Sequence, residues 1–170
     1  MTNFFLRRDP LNRSKALLEG AGLRLPCAIG RGGIKAQKRE GDGATPRATL
    51  HPLQIFIRPD RWPTRRFALP SRITQPSFGW CDDIRSARYN RLVTLPFAHS
   101  HETLFRDDHV YDIIIETDWN VRPAIRGRGS AIFIHLVRPG LTPTEGCIAL
   151  RKKDMILFLQ HLTKETRIII

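Results

Sequence analysis

Long apolar runs are missing from this chain. No stretch of its 170 residues approaches the roughly 20 consecutive apolar positions that cross a bilayer, so no membrane span is expected. The N-terminal segment MTNFFLRRDPLNRSKALLEG puts Arg7, Arg8 and Asp9 where a secretory leader would carry its apolar run, and no leader is read there. Histidine and cysteine never fall at zinc-ligand spacing, so no metal and no other cofactor is expected. Cysteine itself is scarce: three residues cannot all pair within one chain. Cys27 and Cys81 read as buried thiols, with one bridge between them as the alternative. Acidic residues are outnumbered 16 to 28 by basic ones, and the net charge of +12 favours anionic partners through long-range attraction. Nucleic acid is one such partner. The basic residues are scattered, however, and no base-reading motif accompanies them, so nucleic-acid binding is not expected.

What the chain does contain is organised around Ser130–Leu150, SAIFIHLVRPGLTPTEGCIAL. Ala131–Val137 is rich in β-branched and aromatic residues between Gly129-Ser130 and Pro139-Gly140, which predicts a strand. Alternation along it puts Ile132 and Ile134 on one face and Phe133 and His135 on the other. Pro139, Gly140 and Pro143 then break regular structure, and Thr144-Glu145-Gly146-Cys147 arrives in a loop whose glycine permits close backbone approach. A thiol becomes a strong nucleophile on losing its proton, and an imidazole within reach promotes that loss. Cys147 and His135 are therefore a candidate nucleophile and base. Packing is the competing account, because cysteine is among the most buried residue types. His99, His101 and His109 are alternative bases.

These residues resemble the signature of the L,D-transpeptidase catalytic domain, the YkuD domain, in which an upstream histidine precedes Ser/Thr-His-Gly-Cys-apolar-Arg. His135, Thr144, Gly146, Cys147 and Ile148 match it. Far upstream, Glu40-Gly41-Asp42-Gly43-Ala44-Thr45-Pro46 is similar to the family's Gly-Asp-x-x-Thr-Pro turn. Gly79-Trp80-Cys81-Asp82-Asp83, Arg88-Tyr89-Asn90-Arg91 and the stretch from Pro143 to Leu150 resemble a compact bacterial branch. The likeness runs from about Pro26 to Ile170. Three positions depart from the commoner pattern: Glu145 replaces a histidine, Ala149 an arginine, and Leu136 a glycine. Arg138 and Arg151 are the cations offered in place of that arginine.

The resemblance implies a mainly β fold, a mostly antiparallel sandwich or barrel with one or two short helices. It also implies a cysteine acyltransferase acting on peptidoglycan stem peptides, with a tetrapeptide donor and an amine acceptor. Cys147 would attack, His135 would carry the proton, and backbone N–H groups of Gly146 and Cys147 would hold the oxyanion. Thr144 and Glu145 shape the loop, with Glu145 or a backbone carbonyl orienting the imidazole. Trp80, Tyr89, Arg138 and Arg151 are candidate substrate contacts, with Arg126 and Arg128 as further anion contacts. An L,D-carboxypeptidase or amidase-type hydrolase using the same pair is the alternative, as is a non-catalytic basic module binding wall or nucleic acid. The family resemblance implies a periplasmic or envelope location, and without a visible leader the cytoplasm stays open.

For the remaining chain, residues 1–22 read as a flexible extension with one helical turn near Ser14–Glu19, and residues 23–170 as the catalytic domain. Strands are expected over Leu23–Ile29, Ile34–Lys38, Leu53–Ile57, Val110–Thr117 and Thr166–Ile170. A hairpin-type loop is expected at Lys38–Gly43, where Asp42 and Thr45 hold the geometry. Arg58–Arg72 reads as irregular surface, and Asp82-Asp83 as a helix N-cap. An amphipathic helix from Asp154 to Leu162 should pack on the sheet.

Overall fold

The structure is a computed structural model and describes residues 2–63 and 66–170. Among the described residues fifteen strands occur in chain order: β1 (Asn3–Arg8), β2 (Lys15–Gly20), β3 (Leu23–Ala28), β4 (Ile34–Lys35), β5 (Thr45–Pro46), β6 (Thr49–Leu50), β7 (Pro52–Ile57), β8 (Ser71–Ile73), β9 (Phe78–Cys81), β10 (Leu92–Thr94), β11 (His101–Thr103), β12 (Ile113–Thr117), β13 (Phe133–Leu136), β14 (Ile148–Leu150) and β15 (Arg167–Ile169). One α-helix, α1 (Lys152–His161), lies between the last two. Ten strands form a mixed sheet in the order β6-β15-β1-β2-β3-β14-β13-β12-β7-β8. Most of its pairs are antiparallel; β1/β15, β13/β14 and β7/β8 are parallel. A second sheet, β10-β9-β11, and a short parallel pair, β4-β5, complete the mainly β fold.

The centre of the large sheet is covered on both faces, and strict alternation decides which residue goes where. Ile55, Ile57, Ile113, Ile115, Ile132, Ile134 and Leu136 enter a core with Phe4, Leu18 and the helix residues Met155 and Phe158. The rings of Phe4 and Phe158 meet edge to face at 4.9 Å. Their strand neighbours Phe56, Ile114 and Phe133 point the other way, into a smaller cluster with Trp80, Leu104 and Tyr111. His135 shares a strand face with Phe133, so the same alternation delivers it to this second side.

Several expectations are corrected. Residues 1–22 are not a flexible extension: β1 and β2 are integral strands, with Phe4, Leu6, Ala16 and Leu18 buried. The segment expected to turn helically is β2, because Lys15-Ala16-Leu17-Leu18 alternates outward and inward and pairs with both neighbours. Ala21 and Gly22, both at positive φ, form the tight turn into β3. Lys38–Gly43 is not a hairpin, since it joins strands that pair in parallel. Trp62 and Leu69 belong to the main core, so Arg58–Arg72 is not wholly surface, and residues 64 and 65 of that segment lie outside the described residues. No helix follows Asp83; its carboxylate accepts from the Arg85 N–H across a turn. Val110–Asp112 is a turn leading into β12 rather than part of the strand.

Candidate active site

β13 and β14 are parallel neighbours, so the chain must travel back along the sheet between them. That return, residues 137–147, passes through a 3₁₀ turn at Pro139–Leu141 and ends on Cys147. Its last part is pinned from below by the upstream glycine loop. Thr45 Oγ1 accepts from the Gly30 N–H at 3.0 Å and donates to the Gly146 carbonyl at 2.8 Å. Gly146 sits at φ +144, and a Cβ there would stand 2.8 Å from the Ala44 carbonyl, so no other residue fits. Asp42 organises the loop beneath, accepting from the Arg39 and Ala44 N–H groups and from Lys38 Nζ. The two separated motifs are thus one piece of masonry in space.

Cys147 is partly buried against the smaller cluster. Its S–H donates to the Ala131 carbonyl at 3.0 Å, and its sulfur accepts from the Phe133 N–H at 3.3 Å. Burial, and next the charge of Glu102, push the thiol up to about 12. His135 Nδ1 is 2.8 Å from the Leu136 carbonyl. A carbonyl only accepts, so Nδ1 carries the hydrogen and Nε2 keeps its lone pair. Burial, with Arg106 and Arg138 nearby, lowers the imidazole to about 4, so at neutral pH it is uncharged. Both side chains line one cavity of about 640 Å³. At rest the cavity therefore holds a neutral thiol and a neutral imidazole whose Nε2 is free to accept a proton.

The other candidates divide: Thr144, Glu145 and Arg138 line the cavity, and Arg151, Trp80 and Tyr89 do not. Thr144 Oγ1 bridges the loop, donating to the Cys147 carbonyl at 2.6 Å and accepting from the Gly146 N–H at 3.1 Å. That bond occupies the Gly146 N–H, one of the two groups expected to hold an oxyanion. Glu145 does not orient the imidazole; it forms an exposed ion pair with Arg31 at 2.9 Å, and the ring is held by the Leu136 carbonyl instead. Arg138 lines the cavity and bonds Asp108 at 3.2 Å. Arg151 does not line the cavity; it is an exposed residue preceding α1. Trp80 is buried behind the site, with its indole N–H on Asn90 Oδ1 at 2.9 Å and its ring 5.0 Å from Phe133. Tyr89 closes a loop, donating to Glu40 and accepting from the Gly129 N–H.

Among the alternative bases, His101 lines the cavity, whereas His99 and His109 are bound to Asp83 and Asp112. Arg126 and Arg128 do not line it, and Arg128 lies over the Trp119 ring. Cys27 and Cys81 are free and buried. Among the described residues no group of three or more His, Cys, Asp or Glu could hold a metal.

The cavity residues that the sequence reading does not name as site members include Lys38, Asp82, Arg106 and Tyr111, and Glu102 enters that reading only as the carboxylate beside His99 and His101. Tyr111 donates to Glu102 Oε1 at 2.6 Å, and its ring stands 5.1 Å from that of His135. Burial raises the Glu102 carboxyl above its ordinary range. Only its place beside His101 in a histidine-rich stretch hinted at it.

The family model for the L,D-transpeptidase catalytic domain, YkuD, matches residues 13–170. The chain belongs to that family. No curated protein and no solved structure matches it significantly. The match begins inside the segment that folds as β1 and β2, in keeping with β2 being a strand of the domain. Within the YkuD domain the Cys147 loop and the His135 strand are adjacent in the sheet, and the residues that replace its motif histidine and arginine, Glu145 and Ala149, supply neither an imidazole nor a cation.

Proposed function

We propose that this YkuD domain is a cysteine-dependent L,D-transpeptidase acting on peptidoglycan stem peptides. The observation that carries the reading is the opening of Cys147 and of His135, with Nε2 unprotonated, onto one cavity. As substrate displaces the Ala131 carbonyl from the thiol, the S–H proton passes to Nε2. The thiolate then attacks the carbonyl between the third residue and the terminal D-alanine of a tetrapeptide stem. The Cys147 N–H bonds the developing oxyanion, the kind of contact that contributes most to acyl transfer. Collapse breaks the C–N bond, and the imidazolium returns its proton to the leaving amine. A thioester remains. A second amine resolves it to a cross-link, with its own proton taken by His135; water in that role gives the carboxypeptidase outcome.

A peptidoglycan substrate sets the place of action in the cell envelope, and the charge of +12 suits a carboxylate-rich polymer. Intact-mass measurement after exposure to a stem tetrapeptide or a carbapenem tests the reading. The expected result is a covalent adduct on Cys147 that Cys147→Ala lacks. Folded, reduced protein that forms no adduct and leaves stem peptides intact would exclude it, and a basic binding module would then be the better description.

A further inference from the structure

The cavity carries charged groups of both signs, and they are not equally engaged. Every cation lining it already has a partner: Lys38 bonds Asp42 and the Arg39 carbonyl, while Arg106 and Arg138 both bond Asp108. The acceptors are different. Glu102 uses Oε1 for Tyr111, and no protein donor meets Oε2 among the described residues. Asp82 Oδ1 is buried with no partner. Asp82 follows β9 directly and Glu102 lies on β11, its antiparallel neighbour, so the two carboxyls flank one side of the cavity that holds Cys147. Unmet acceptors of negative charge, beside donors already spoken for, fit a cationic group with several N–H donors. A primary ammonium, with three, answers that description.

The position of Glu102 adds a second consequence. Its charge opposes ionisation of Cys147, whereas Lys38 and the Phe133 N–H favour it. The other groups facing Glu102 are Tyr111, Arg106, Asp82 and Arg138. We propose that Glu102, with Asp82, docks an ammonium group of the substrate, and that this neutralisation lets Cys147 pass its proton to His135. The inference rests on Cys147 being the nucleophile of the proposed reaction. Its chemistry is a single proton transfer: the S–H bond breaks, N–H forms at Nε2, and no other bond changes. The site would thereby be idle toward stray electrophiles until an amine-bearing peptide fills it.

The test is the rate at which iodoacetamide alkylates Cys147, followed by peptide mass over a range of pH, with and without D-lysine as the ammonium probe. Diacetylated D-lysine is the neutral control. Each unit by which the thiol falls raises the thiolate fraction about tenfold. In the wild type D-lysine should accelerate alkylation about tenfold or more at pH below the thiol's, and the diacetyl compound should not. Glu102→Gln keeps a partner for Tyr111, should react fast without D-lysine and should not respond to it. Tyr111→Phe, which retains the charge, should remain slow. Equal rates in Glu102→Gln and wild type, or equal acceleration by D-lysine in both, would overturn the inference. If Glu102→Gln does not fold, the wild-type arm decides alone, and no acceleration there would overturn it. Acylation by a stem peptide that is indifferent to Glu102 would sink the gate and spare the transpeptidase reading. A shifted alkylation profile without any acylation would do the reverse.

Discussion

The two faces of the β12–β13 pair are built from adjacent residues and come out opposite in chemistry. One face, Ile113, Ile115, Ile132 and Ile134, meets α1 and the first three strands in a dry core. On the other, Ile114 and Phe133 pack in the smaller cluster, and His135 lines the cavity that it shares with Cys147. Burial serves stability on the first side. On the second it sets protonation states, keeping the imidazole neutral and the thiol protonated. The separation is testable by large changes on either side. Phe158→Ala, which empties space beside Phe4, should cost about 3–5 kcal/mol in chemical denaturation and leave the acylation rate of the folded fraction unchanged. His135→Gln should do the opposite, lowering the acylation rate about 10³-fold in protein that still folds.

Acid sharpens the contrast through His135, which lies on the cavity side. An unfolded histidine takes up its proton near 6.5, and His135 in the fold does so near 4. Between those values the unfolded chain binds more protons, so stability is whole above 6.5 and drains away as the pH falls toward 4. At about 1.4 kcal/mol per unit the loss amounts to about 3 kcal/mol. Glu102 and Glu116, whose carboxyls burial raises, act in the other direction and are stabilising in their protonated form. Denaturant unfolding near pH 7 and near pH 4.5 on the wild type and on His135→Gln isolates the histidine, since both carboxyls are common to the two. The substituted protein should lack that share of the acid loss.

Period-two alternation made much of this arrangement legible from the chain alone. In Ala131–Val137 it assigned Ile132 and Ile134 to one face and Phe133 and His135 to the other, and the two clusters divide along that line. In Asn3-Phe4-Phe5-Leu6 three apolar residues run together beside Arg7, Arg8 and Asp9, so the sequence shows no alternation there, and only the folded strand buries Phe4 and Leu6 while leaving Phe5 out. Strand β1 is stabilised by a distant partner, β15, and no local pattern announces a parallel pairing between the two ends of a chain. The same limit hid the cavity lining. Glu102 and Tyr111 stand nine residues apart, and their hydrogen bond depends on the turn at Val110–Asp112 folding back over β11. Trp80 reads from the sequence as a groove residue because its ring offers flat apolar area to a polar substrate; in the fold Asn90 and Phe133 absorb both its polar and its apolar parts.

Thr45 tests how strongly the loop below the cavity depends on its buttress. Thr45→Val keeps the shape and removes both hydrogen bonds, leaving the Gly30 N–H and the Gly146 carbonyl unmet in a buried place. A cost of about 2 kcal/mol in unfolding is expected, with a slower acylation rate because Gly146 positions the Cys147 N–H. Thr45→Ser retains the hydroxyl and should recover most of both. If valine slowed acylation without loosening the fold, the buttress would be a positioning device alone; if it loosened the fold without slowing acylation, the loop would be holding itself through Thr144.

The smallest effect belongs to the residue that stands where the family's second histidine is found. Glu145 is bound to Arg31, both side chains are largely exposed, and solvent-screened pairs of that kind contribute little to stability. The Leu136 carbonyl, buried and 2.8 Å from Nδ1, already holds the imidazole, so Glu145 has no ring left to orient. Glu145→Gln should therefore leave unfolding, the acylation rate and its pH profile within error of the wild type. A drop in acylation of tenfold or more, with the pH profile displaced, would mean that the carboxylate swings from Arg31 to His135 once substrate is bound. The orienting role would then belong to Glu145 after all, and Arg31 would be coupled to the imidazole through a residue on the cavity rim.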